Sequence, residues 1–316
     1  MAREVIDALA PCLQREGAVL VDGTVGLGGH SAALLEACPQ ARLVGIDRDG
    51  EAIEMATARL APFKGRFSLH RARFDEMGHI LDDLGIGAVA AVLLDLGLSS
   101  LQIDQASRGF AYTHDGPLDM RMDDRLEVDA AQMVNTWPAD SLERVLREFG
   151  EEPHAARVAR AIVAARQQEP IATTAQLAAI VVGAMPAKVR FGAGGHPAKR
   201  VFQALRMAVN DELPALDAVL PLALGRLAPD GRLAVLSYHS LDDRLVKQTF
   251  RRACEDAAPR GLPVVPQHLR SGFSLVTKGA VRPQPGEMEI NPRAASARLR
   301  IIRCLVPMKE TNHDQC

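Results

Sequence analysis

Cysteine is scarce in this chain. The five residues, Cys12, Cys38, Cys254, Cys304 and Cys316, are scattered and form no CxxC pair. That argues against a disulfide framework and a zinc site, and it suits a reducing, cytoplasmic compartment. Aromatic residues make up only 4% of the chain, so the stacking platform of the common single-strand RNA modules is not expected. Neither sign of charge prevails: 37 Lys and Arg against 39 Asp and Glu give −2. No whole-molecule field therefore draws the chain to nucleic acid or to anionic membrane, and a polyanionic partner must be met by local patches. Long apolar runs are missing too. The longest uncharged stretch, Pro170 to Ala187, contains Thr173, Thr174, Gln176 and Pro186, which suits a packed helix better than a membrane span. Arg3, Glu4, Asp7, Arg15 and Glu16 make the first twenty residues unlike a secretory signal.

What is present is an ordinary globular mixture, 47% hydrophobic and 24% charged over 316 residues, enough for about two domains or for one domain with an insertion. Short apolar runs alternate with helical patterns in the first hundred residues, the mark of βαβ units and a parallel sheet. The predicted strands are Ala18 to Asp22, Arg42 to Asp47, Phe67 to Arg71 and Ala88 to Leu94, with helices at Gly29 to Cys38 and Gly50 to Leu60. The next such strand, Arg232 to Ser237, follows a Pro229-Asp230-Gly231 turn, so well over a hundred residues intervene. That stretch reads as a helical insertion: Ala130 to Thr136, Ser141 to Phe149 behind a cap at Asp140, Pro153 to Arg166, Ala175 to Met185 behind Thr174, and Phe202 to Asn210. The expected division is residues 1–102 with 211–316 as an α/β domain and 103–210 as a mostly helical insert. A helix at Leu213 to Leu227 leads back to the sheet. A helix at Asp242 to Ala253 and strands at Ser274 to Lys278 and Arg298 to Cys304 complete it, and Ala258 to Gly286 reads as largely loop.

The first strand runs into Asp22-Gly23-Thr24-Val25-Gly26-Leu27-Gly28-Gly29-His30-Ser31 and then a helix. Such a turn lets a ligand approach the backbone at a helix N-terminus, which points to a nucleotide-like cofactor. The dinucleotide fingerprint G-x-G-x-x-G fails, because Ser31 stands where its last glycine belongs. Asp47 closes the second strand, where a carboxylate can accept from ribose hydroxyls. Phe74, after the third strand, offers an adenine platform or a core side chain. Asp95 follows the fourth strand. Strand-end residues of this kind converge on one crevice in an open α/β sheet.

These residues resemble the bacterial small-subunit ribosomal RNA cytosine-N4 methyltransferases, the MraW or RsmH family, over nearly the whole chain. The resemblance rests on Asp22-Gly23-Thr24 with Gly28-Gly29-His30-Ser31, on Asp95 to Ser100, on Asp115 to Met122, and on His196-Pro197-Ala198 with Phe202 to Arg206. It continues in Val209 to Leu213, Ser237 to Leu241, Asp243-Arg244, Asn291-Pro292-Arg293 and Ser296-Ala297-Arg298. Leu101 stands where the family usually has proline, and Ala295 where it often has arginine. The resemblance implies a Rossmann-like methyltransferase sheet with a helical substrate domain inserted after the fourth strand. It implies S-adenosylmethionine as cofactor, held by Gly28, Gly29, His30, Asp47, Phe74, Asp95 and Gln102, and small-subunit ribosomal RNA or an assembling subunit as partner. DNA and membrane are not expected partners, and the oligomeric state stays open. The competing readings are a noncatalytic RNA-binding assembly factor and an NAD-linked dehydrogenase, the latter disfavoured by Ser31 and the helical insertion.

Three segments carry basic residues and little or no acid: Lys188, Arg190, Lys199, Arg200 and Arg206; Arg260, Arg270, Lys278 and Arg282; and, between Ile290 and Lys309, five basics including Arg293. They are candidate phosphate contacts or solvated faces. Asp119 and Arg121 are candidates for holding the base or ordering a lid, with an internal ion pair as the alternative. The cytosine amine is a poor nucleophile because its lone pair is delocalised into the ring, and acceptors facing its protons, such as Asp95, would oppose that delocalisation. Attack through carbon 5 would need a cysteine nucleophile, and no motif holds one. His239 is a candidate proton acceptor after transfer, or a structural histidine.

Overall fold

A computed structural model describes residues 1–190, 196–259 and 264–305. Arg260, Lys309 and Cys316 lie outside the described residues. Two compact units are formed, Met1–Gly97 with Pro214–Cys316, and Leu98–Leu213.

The first unit holds β1 (Val19–Asp22), β2 (Arg42–Asp47), β3 (Phe67–Arg71), β4 (Val89–Asp95), β5 (Leu227–Ser237), β6 (Phe273–Leu275) and β7 (Arg298–Cys304). They make one sheet in the order β3-β2-β1-β4-β5-β7-β6. The first five strands are parallel, β7 runs antiparallel to β5, and β6 is antiparallel to β7. The chain starts mid-sheet and builds outward first through β2 and β3, then through β4 and β5. The order therefore reverses between β1 and β4, the place where open α/β sheets bind ligands.

Alternation along the strands feeds two apolar cores. Val21, Val44, Ile46, Val92, Leu94, Leu233 and Val235 belong to one, and Leu20, Leu43, Ala91, Leu93, Ala234 and Leu236 to the other. Because both faces are covered, the strands read as continuous hydrophobic runs. Helix α1 (Ala2–Leu13), which the sequence pattern did not single out, buries Val5, Ala8, Leu9, Cys12 and Leu13 at helical spacing and packs on β4 and β5. The Pro229-Asp230-Gly231 turn lies inside β5, which begins at Leu227, with Asp230 at φ 66° and a register shift opposite Val89 and Ala91. β6 is shorter than expected, and a helical turn at Pro285–Ile290 begins where the expected loop ends.

The second unit is helical, with Ala130–Thr136, Ala139–Glu148, Ala155–Arg166, Thr174–Ala184 and Lys199–Val209 around one core. Two caps differ from expectation. Asp140 lies in the first turn behind Pro138, and Thr173, not Thr174, forms a capping box with Gln176.

Candidate functional site at the strand ends

Four strand ends of the first unit carry the candidate cofactor residues. Gly26 and Gly28 adopt left-handed backbone (φ 49° and 75°), and Gly28 caps helix α2 (Gly29–Ala37) without a side chain. Gly23 is required for a different reason: a Cβ there would lie 2.6 Å from Leu94 Cδ2 and 3.2 Å from Phe74 Cβ.

The carboxylates around this loop are built into it. Asp47 accepts Gly26 N–H at Oδ2 (2.8 Å) and Asp49 N–H at Oδ1 (3.0 Å), so it fixes the glycine turn. Burial pushes its pKa up against those two hydrogen bonds. Asp22, almost fully buried, accepts from Ser31 Oγ (2.5 Å) and from Thr24 N–H (3.2 Å). Burial dominates there as well and raises the pKa to about 6. Ser31, which in the sequence breaks the dinucleotide fingerprint and closes the Gly28-Gly29-His30-Ser31 motif, is thus the partner that a buried carboxylate needs. Thr24 Oγ1 accepts Asp95 N–H at 2.6 Å, joining the loop to the end of β4.

Asp95 is held from two sides. Tyr238 donates its phenol to Oδ1 (3.0 Å), and His30 Nε2 faces Oδ2 at 3.4 Å. For His30, burial is the largest single influence and pulls its pKa down. The hydrogen bond and charge of Asp95 together with the charge of Asp22 outweigh it, and the pKa stands above the ordinary histidine value. Tyr238 is pushed well up, first by burial and then by the Asp95 charge, so the phenol stays protonated and acts as a donor. Gly97, at φ 118°, brings its backbone against the Tyr238 ring, where a Cβ would sit 3.4 Å from Cδ2. In the sequence, Tyr238 is part of a motif but has no legible role of its own. The separation of 143 residues from Asp95 hides the pair.

Phe74 is buried in the sheet core, and the Arg48 guanidinium lies 5.8 Å from its ring centroid. His239 precedes helix Ser240–Ala253, is half-buried, and accepts Asp243 N–H at its carbonyl oxygen (3.2 Å). Asp243 in turn accepts from Arg298 (2.9 Å) and Arg300 (2.7 and 3.0 Å). These bonds pin the helix after β5 to β7, and with it the approach to Tyr238 and His239. The two arginines hold the Asp243 carboxyl below the usual range although burial, its largest single influence, opposes them.

In the second unit, Gln102 is buried, and its side-chain oxygen closes a capping box by accepting Ser99 N–H (3.1 Å). Arg121 forks onto Asp119 (2.8 Å at each oxygen) and donates to Leu126 O (2.7 Å), the internal ion pair of the alternative reading. Lys199 and Arg200 are exposed on helix Lys199–Val209. Arg206 departs from the phosphate-contact expectation. Its side chain is 7% exposed and is spent on Glu212 through two bonds of 2.7 and 2.9 Å. In the first unit, Arg293 is exposed in the turn Pro292–Ser296. Among the described residues, no helix is long and apolar enough to cross a membrane.

The donor set suits S-adenosylmethionine. A carboxylate at the end of β2 matches ribose hydroxyls, while Asp22 and Asp95 with a single histidine give the crevice a negative balance that favours a cationic sulfonium and ammonium and repels a pyrophosphate. Sheet order, glycine loop and acidic strand ends together define an S-adenosylmethionine-dependent methyltransferase.

The chain belongs to the MraW methylase family, which it matches over residues 1–305. It is 53% identical to ribosomal RNA small subunit methyltransferase H of Cutibacterium acnes, over 97% of this chain and 91% of the relative. With the namesakes from Thermobifida fusca and Streptomyces avermitilis the identity is 53% and 50%, each over 95% of this chain and 91% and 94% of the relative.

Proposed function

We propose that the protein methylates the N4 amine of a cytidine in small-subunit ribosomal RNA, acting in the cytoplasm on RNA of the free or assembling subunit. The observation that carries this reading is Asp95, an acceptor at the switch point of the sheet with one oxygen bonded to Tyr238 and the other facing His30. S-adenosylmethionine, when bound, supplies an electrophilic methyl group.

The chain's own residues supply position and charge. Gly28, Gly29 and His30 form the loop for the amino-acid end of the cofactor, and Asp47 accepts from its ribose while holding the turn. Phe74 offers the edge of a packed ring. Asp95 accepts from the target amine, drawing its lone pair out of the ring, while the phenol and the imidazole keep the carboxylate oriented. Of the described cysteines, Cys12, Cys38, Cys254 and Cys304, none belongs to the glycine loop or follows a parallel strand, and three of them are buried. Among the described residues attack through carbon 5 finds no thiolate at the loop, which supports nitrogen as the acceptor. His239 takes up a proton after transfer. The helical unit recognises RNA through exposed Lys199 and Arg200, with the Asp119–Arg121 pair ordering its own turn, and the first unit presents Arg293.

Mass mapping of small-subunit rRNA from cells lacking the protein tests the reading. One cytidine should lose a methyl group that purified protein and S-adenosylmethionine restore; a complete methylation map in those cells refutes it.

A further inference from the structure

Few aromatic residues occur in this chain, yet three rings are in contact in series within the helical unit. Phe202 is in the core, 3% exposed. Tyr112 meets it edge-on at 5.6 Å between centroids, and His196 lies flat on Tyr112 at 4.6 Å with 17° between planes. His196 is exposed. The stack therefore begins in the core and ends in a ring that is open to solvent.

The surroundings of that ring are cationic. Lys199 and Arg200, three and four residues on, are exposed in the first turn of the following helix, which has no acid there. From Pro186 to Asn210 the chain contains no carboxylate. Arg200 donates to a neutral group, the backbone oxygen of Glu151 at 3.3 Å. His196 Nδ1 accepts Ala198 N–H at 3.2 Å, which sets the ring's orientation and puts its proton on Nε2. A flat ring supported from behind, with a donor at its rim and two exposed cations three and four residues on, matches the chemistry of an unpaired nucleotide: base on ring, backbone on cations.

We propose that His196, backed by Tyr112, is a stacking subsite for one unpaired base of the RNA, with Lys199 and Arg200 on the adjoining phosphates. This rests on the RNA reading above and adds a recognition element to it. The base bound there is a neighbour of the target or a base across the loop from it. Stacking is tolerant of base identity, so the subsite supplies affinity and register without specificity.

Two substitutions separate stacking from local structure. His196→Asn keeps an acceptor for Ala198 N–H and removes the ring; His196→Phe keeps the ring and removes the acceptor. Binding of a fluorescently labelled single-stranded RNA to the full chain, followed by anisotropy at pH 8 over a range of salt, should show His196→Asn weaker by roughly tenfold. His196→Phe should lie within about threefold of wild type, and all three proteins should share one salt slope, because the ring neutralises no phosphate. Wild-type affinity in His196→Asn, equal losses in both variants, or a changed slope overturns the subsite. Methylation of small-subunit particles by the wild type is measured alongside. Methylation without single-strand binding sinks the subsite and leaves the enzyme reading standing, whereas absent methylation sinks the reading itself.

Discussion

Tyr238, the residue after β5, donates its phenol to Asp95 Oδ1, at the end of the neighbouring β4, over 3.0 Å. The contact is half-buried, and Asp95 Oδ2 faces His30, so the carboxylate has little freedom to rotate. Orientation of this kind matters most where an acceptor must meet a small, weakly nucleophilic amine.

Tyr238→Phe removes one donor and keeps the ring against Gly97. A hydrogen bond to a charged group contributes about 1.5 to 3 kcal/mol, so the rate of methyl transfer in a single turnover should fall by roughly tenfold or more, with cofactor affinity nearly unchanged. Rapid-quench assays at saturating cofactor and RNA check this; an unaltered rate means that Asp95 is oriented without the phenol.

Asp47→Ala should do two things at once. It removes acceptors for the Gly26 and Asp49 N–H groups, and with them the hold on the glycine turn. Calorimetry should show S-adenosylmethionine binding weaker by roughly 1 to 3 kcal/mol, and thermal unfolding of the cofactor-free protein should come earlier. Full affinity in a folded variant would remove Asp47 from the ribose site.

The parts of the site that were legible in sequence are local. The glycine turn, Asp47 and Asp95 stand at the ends of continuous apolar runs, and a buried parallel sheet demands such runs. What stayed hidden is pairing across long separations. Nothing in the periodicity marks Ser31 as the donor to Asp22, or Tyr238 as the donor to Asp95. Counting signs along a segment also treats every cation alike. Arg206 shares the buried side of its helix with Phe202, Leu205 and Val209, and only tertiary packing distinguishes it from Lys199 and Arg200.

That distinction is testable. Lys199→Gln with Arg200→Gln should reduce RNA affinity and flatten its dependence on log salt by about 1.4 to 1.8, at roughly 0.7 to 0.9 per phosphate contact, with cofactor affinity intact. Arg206→Met should leave the slope alone and instead destabilise the fold by about 1 to 3 kcal/mol, because the half-buried Glu212 loses its charged hydrogen-bond partner. A salt slope that responds to Arg206→Met alone reverses the assignment.

The Asp22 carboxyl gives the protein a pH signature. Its pKa rises on folding from 3.8 to about 6, so between these values the folded state holds a proton that the unfolded state has released. Stability from this group is then present below about pH 4, falls as pH rises to about 6, and is flat above, a loss of about 3 kcal/mol in all. Asp22→Asn keeps an acceptor for Thr24 N–H and offers a donor to Ser31, and it cannot titrate. Urea unfolding should therefore show the Asp22→Asn variant gaining on wild type as pH rises from about 4 to about 7. A constant difference across that range shows that burial does not govern this carboxyl.

The cytosine amine attacks as a neutral group and sheds its proton only as the methyl group arrives or afterwards, so a base poised before transfer is not obligatory. A well-placed general base contributes about 100-fold to 10,000-fold. His239 is half-buried at the start of a helix that the Asp243 ion pairs hold in place, which fits a residue that accepts the proton late. His239→Ala should accordingly cost less than about 100-fold in single-turnover methyl transfer. Asp95→Ala should cost far more, because it removes the acceptor at the switch point and leaves the Tyr238 phenol and the His30 imidazole facing each other with no carboxylate between them. Measured together at saturating cofactor and RNA, the two variants rank the roles: a larger loss for His239→Ala would make proton removal the decisive step and reduce Asp95 to a cofactor contact.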